Sequence, residues 1–172
     1  MAQFSLSYST AFVVQPVMAL QSAIQLAYAF QKRLWRLFRP RTRGVKVMLF
    51  KPGGEILLVR NSYGRTHQFV FPGGGVRPWE TPERAAIREV REELGCAISG
   101  LLPVSTHFTS AEGKRDTVHL FEGRIDADPK PDGFEIAEAR FFPLDALPDA
   151  LSPATARRLA ERQSKANADG AW

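Results

Sequence analysis

The chain has 172 residues, 44% of them hydrophobic, enough for one ordinary core and its appendages but not for two. Its lone cysteine, Cys96, excludes an intramolecular disulfide and a cysteine-based zinc site, as suits a reducing compartment such as the cytoplasm. Lys32, Arg33, Arg36, Arg39, Arg41, Arg43 and Lys46 carry seven positive charges and residues 1–31 none, so the net +5 leaves residues 47–172 at −2; that is not the spread basic face expected of a duplex nucleic-acid binder.

Residues 1–16 are uncharged, mixed and interrupted by Pro16, and suggest no regular element. From 17 to 38 a helical pattern places Leu20, Ala23, Ile24, Ala27, Phe30, Leu34 and Leu37 on one side, with Gln21, Gln25, Lys32 and Arg36 on the other, until Pro40 stops it. An amphipathic helix with a basic C-terminal half and Trp35 among its apolar residues suits peripheral contact with an anionic membrane, packing on its own domain, or a homodimer contact. Glutamines and Pro16 break the run of about 20 apolar residues that a membrane span wants. Residues 1–40 are thus read as an appendage, 41–163 as the main folded domain and 164–172 as a frayed tail.

Residues 44–50 and 55–60 read as two strands joined by the turn at Gly53 and Gly54, and residues 68–71 as a short third. Arg60 and Arg65 are cations that could hold an anionic group such as a phosphate. Residues 101–109 and 117–125 read as a hairpin around 111–114, residues 138–142 as a last strand, and 153–163 as a helix. The three histidines, His67, His107 and His119, show no ligand spacing and read as surface or satisfied strand residues.

The informative stretch begins at Phe71-Pro72-Gly73-Gly74-Gly75, a backbone almost without side chains that can approach a phosphate or lend carbonyls to a metal. A helix with marked ends follows. Thr81 can cap it, Pro82 suits its first position and Gly95 can close it in the left-handed conformation. Ala86, Ile87, Val90 and Leu94 form the stripe expected to face the core. On the other face Glu89, Glu92 and Glu93 stand at i, i+3 and i+4. Each like-charge pair at that spacing costs roughly 0.2–0.5 kcal/mol on an isolated helix, which a bound divalent cation would more than offset. Arg88 can orient Glu89 and Glu92.

With Gly74, Glu80, Arg88, Glu89, Val90, Glu92, Glu93 and Gly95 in place, the stretch resembles the Nudix box, G-x5-E-x7-R-E-U-x-E-E-x-G-U. Cys96 stands where the pattern has a bulky aliphatic residue, a place a buried thiol can fill as a small hydrophobe. The resemblance covers residues 44 to about 163. It implies an α+β fold, an α/β/α sandwich around a mixed sheet, to which the N-terminal helix would be added. It implies hydrolysis of a nucleoside diphosphate linked to another moiety, with Mg2+ or Mn2+ as cofactor and water attacking phosphorus in line.

By the same resemblance Glu89, Glu92 and Glu93 hold the metal, with the Gly74 carbonyl as a further ligand, and Gly73 and Gly74 also approach the substrate. Glu80 braces the loop against the helix, and Glu135, or else Glu138, serves as ligand or base. No subgroup mark for the substrate is found: 111–114 holds neither the proline of ADP-ribose hydrolases nor the tyrosine of dinucleoside polyphosphate hydrolases. A regulator that binds a nucleotide ligand without turnover is the competing reading, but it predicts lost carboxylates, and all three are present.

Overall fold

A computed structural model describes residues 41–64, 66–109, 115–131, 133–164 and 172. The helix read at 17–38, with its membrane or homodimer contact, lies outside the described residues, as do Arg65, the turn at 111–114 and most of the tail.

Among the described residues six strands and two helices follow one another in the order β1 (Arg41–Phe50), β2 (Ile56–Asn61), β3 (Phe69–Val70), α1 (Pro82–Leu94), β4 (Ser99–Thr109), β5 (Arg115–Arg124), β6 (Ile136–Phe142) and α2 (Pro153–Ser164). The sheet runs β3-β2-β1-β5-β4, with β6 paired to β2. β1 and β5 are parallel over ten residue pairs, from Arg41↔Arg115 to Phe50↔Arg124, and the other pairings are antiparallel. The sheet is therefore mixed, as expected.

The central strands are apolar on both sides because a helix covers each face. Val45, Val47, Leu49, Leu57 and Val59 meet Ala85, Ala86, Val90 and Leu94 of α1. The alternate residues Met48, Phe50, Ile56 and Leu58 meet Leu159 of α2, with Phe69, Phe71 and Phe142. Each fully buried Val or Leu contributes roughly 1.5–3 kcal/mol relative to exposure. The α/β/α sandwich is thus observed. Cys96 is buried beside α1, its thiol donating to the Leu94 carbonyl at 3.4 Å.

Strand bounds differ from the sequence pattern where pairing, not hydrophobicity, decides them. β1 begins at Arg41 because β5 supplies partners that far, and β6 begins at Ile136 because that residue pairs Asn61 across a bulge. The glycine loop lies along β1 in the manner of a further strand. Val47 N donates to Pro72 O at 3.0 Å, Val45 N to Gly74 O at 2.9 Å and Val76 N to Arg43 O at 2.8 Å.

Candidate active site

The ends of α1 are built as their residues dictate. Thr81 Oγ1 accepts from Arg84 N at 3.3 Å, Pro82 opens the helix, and Gly95 at φ 65° donates to Arg91 O at 3.0 Å. The buried face differs from the expected stripe: it comprises Ala85, Ala86, Glu89, Val90, Glu93 and Leu94, while Ile87 is 48% exposed. Two of the three carboxylates therefore sit at the border of the core, each 8% exposed, instead of on a solvated opposite face. The expected stripe included Ile87; packing against β1 buries Ala85 in its place.

Arg88 stands among the acids. Its Nε and Nη2 donate to the two oxygens of Glu80 at 2.9 and 2.8 Å, a paired grip. Nη1 donates to Glu89 at 2.7 Å and to Glu92 at 3.0 Å, and Nη2 also reaches the Gly75 carbonyl at 2.8 Å. The hydrogen bond from Arg88, aided by one from Arg77 N, holds the Glu80 carboxyl down to about 2. Glu80 in turn, ahead of Glu89 and Glu92, fixes Arg88 in its charged form. Glu80 thus ties the loop at residue 77 to the helix at residue 88.

Two glycines admit this arrangement. Gly73 has φ 121°, and a Cβ there would stand 2.5 Å from the Val45 carbonyl oxygen. At Gly74 a Cβ would stand 2.7 Å from the Glu89 carboxylate, so the absent side chain is the space the acid uses. Gly73 N donates to Glu93 Oε2 at 2.9 Å. Burial pushes the Glu93 carboxyl up, Lys46 and the Gly73 amide oppose this, and the charges of Glu89 and Glu135 add to it. Lys46 Nζ anchors the loop through the carbonyls of Phe71 at 2.9 Å and Gly73 at 2.6 Å.

These groups open on a cleft of about 500 Å³ lined by Gly74, Gly75, Arg88, Glu89, Glu92 and Glu93, with Glu135, Tyr63 and Arg77 completing its walls. Arg60 does not line it; its guanidinium pairs with Glu138, its neighbour across the β2–β6 ladder. Neither Arg60 nor Glu138 is therefore among the residues that the fold gathers. Tyr63, Arg77 and Lys46 were not singled out by sequence. Lys46 is polar within a strand and carried no local sign that the glycine loop would return beside it.

The donor set bears on a hard divalent cation. All its donors are oxygens, four carboxylates share the cleft with two arginines, and a buried acid is strained by its neighbours' charges. Among the described residues no three acidic, histidine or cysteine side chains converge into a ready-made cage, since Arg88 stands between Glu80, Glu89 and Glu92, and Gly74 O is engaged by Val45 N. Such a set fits an ion shared with phosphate oxygens better than one enclosed by protein alone.

Comparison with known proteins agrees with this architecture. A family model described as NUDIX domain matches residues 40–163. Isopentenyl-diphosphate Delta-isomerase of Streptomyces griseus is 35% identical over 137 residues, which span 72% of this chain and 62% of that protein. The NAD-capped RNA hydrolase NudC of Pectobacterium carotovorum is 31% identical over 128 residues, or 72% of this chain and 48% of that one. The chain thus spans about half to three fifths of the length of these relatives. The crystal structure of a MutT NUDIX hydrolase from Burkholderia pseudomallei superposes with a TM-score of 0.63 at 26% identity, covering 70% of this chain and 96% of the other. From the box residues gathered on one cleft, the sandwich that carries them and the match over residues 40–163, it follows that the chain belongs to the Nudix family.

Proposed function

We propose that this protein is a divalent-metal-dependent hydrolase that cleaves the diphosphate linkage of a nucleoside diphosphate joined to another moiety. The observation that carries the reading is the gathering of Glu89, Glu92, Glu93 and Glu135 around one open cleft beside a side-chain-free loop. Glu89, Glu92 and Glu93 would hold Mg2+ or Mn2+. When bound, the ion neutralises diphosphate charge and makes water nucleophilic at neutral pH. Gly74 and Gly75, which line the cleft, would let phosphate oxygens approach the backbone, while Gly73 is engaged by Glu93 and Lys46. Arg88 holds Glu89 and Glu92 in fixed rotamers, and Glu80 holds Arg88. Glu135, which lines the cleft from the segment before β6, would take the proton of the attacking water at its carboxylate. The names of the relatives support a diphosphate in the substrate, since isopentenyl diphosphate and a NAD cap both contain one.

A hydrolysis screen with and without Mg2+ over nucleoside triphosphates, nucleotide sugars, dinucleotides and capped RNA ends tests this. Turnover of at least one diphosphate is expected, abolished by chelation. Glu92→Gln should lower kcat by at least about 100-fold, the lower range for a catalytic charged group. Most activity surviving in that variant would overturn the assignment.

A further inference from the structure

We infer that Lys46 is a positioning residue of the metal site, acting through the glycine loop to keep the Glu93 carboxylate aimed at the cation. It does so from β1, outside the box that identifies the family. This inference rests on the hydrolase reading and adds to it the group that decides how tightly the site holds its ion.

The four successive carbonyls of residues 71–74 are all taken by three consecutive residues of β1. Val47 N holds Pro72 O at 3.0 Å and Val45 N holds Gly74 O at 2.9 Å. The carbonyls that alternate with these, of Phe71 and Gly73, both go to the ammonium of Lys46, at 2.9 and 2.6 Å. Pro72 O belongs to the same planar peptide unit as Gly73 N, which donates to Glu93 Oε2 at 2.9 Å. Lys46 therefore grips the peptide units on either side of the one that faces Glu93. Gly73, at φ 121° and without a side chain to pack, is the free joint of the loop, and it keeps one orientation only while its partners hold it.

The acids of the site are thus steadied by two cations from different elements. Arg88, on α1, grips Glu80, Glu89 and Glu92. Glu93, 8% exposed, is steadied from β1 instead, through Gly73. Loss of the Lys46 ammonium takes the shared donor from two carbonyls and frees the joint, so the amide no longer fixes the Glu93 carboxylate. Groups that orient metal ligands in this indirect way carry about 10- to 100-fold of metal affinity.

Mn2+ binding to the full chain, read from the electron paramagnetic resonance of the free ion, tests this alongside amide hydrogen exchange of the metal-free protein. Lys46→Met should weaken Mn2+ binding about 10- to 100-fold. It should also speed exchange of the Gly73 amide about tenfold, the order expected for one lost hydrogen bond, with exchange across α1 unmoved. Lys51→Met, which removes a lysine paired with Glu55 at the turn after β1, should change neither. Should Lys46→Met fail to fold, Lys46→Gln, neutral and shorter in reach, is read by the same two measures. A lysine with a merely structural part would shift the denaturant midpoint and leave the Mn2+ affinity of folded molecules alone. Unchanged affinity, or a Gly73 amide as slow as in the parent, overturns the part given to Lys46 and nothing else. Failure of the parent itself to bind Mn2+ overturns it together with the hydrolase reading beneath it.

Discussion

The sheet buries one charged cluster under each helix, and the two are built on opposite plans. Beneath α2, Arg158 is 3% exposed and His107 fully buried. The guanidinium lies 2.8 and 2.9 Å from the two ring nitrogens and pairs with Glu161 at 2.9 Å, while Ser105 Oγ is 2.7 Å from the ring and Trp172 packs on it. Beside α1, four glutamates of like sign meet two arginines at an open cleft. The first cluster is balanced and closed; the second has an excess of negative charge and faces solvent. Burial of charge therefore does not by itself mark a working site. Uncompensated charge next to bare backbone is the better sign, because it is expensive to keep unless a ligand uses it.

The contrast can be tested by substitution on either side. Arg158→Leu leaves a buried ring nitrogen without its donor and should cost about 1–3 kcal/mol of stability, read from denaturant midpoints, with turnover per folded molecule unchanged. Loss of activity in the folded variant would erase the distinction. Gly74→Ala puts a methyl group where the Glu89 carboxylate lies; it should cut kcat at least about tenfold, with less effect on the denaturant midpoint than Arg158→Leu has.

The smallest effect belongs to Glu80. Its folded pKa of about 2 lies below the ordinary 4.5, so its pairing adds stability above about pH 4.5 and loses it as pH falls through about 2. Acid unfolding curves of Glu80→Gln should be flatter than those of the parent in that window. Superimposable curves would remove Glu80 as the tie between loop and helix.

Much of this molecule is written locally. Thr81, Pro82 and Gly95 set the ends of α1 by their own conformational preferences, and the spacing from Gly74 to Gly95 identifies the family. What was not legible depends on contacts distant in sequence. The buried edge of α1 is decided by β1, so Ile87 exchanges places with Ala85 and two glutamates come under cover. Arg60, an apparent phosphate ligand, is taken by Glu138 through strand pairing across 78 positions. Lys46 sits in an alternating strand like any solvated lysine, and only the return of the loop gives it two carbonyls to hold. His107 did read as a satisfied strand histidine, but its partner Arg158 is 51 residues away.

The three backbone bonds that fasten residues 72–76 to β1 make the glycine loop, mechanically, part of the sheet. It is a fixed anvil and not a hinged cover. The opposite wall, around Tyr63 and Glu135, is tied to the sheet only through Ser62 N and Glu135 O at 2.9 Å among the bonds described, so differences in substrate bulk would fall on that wall and not on the anvil.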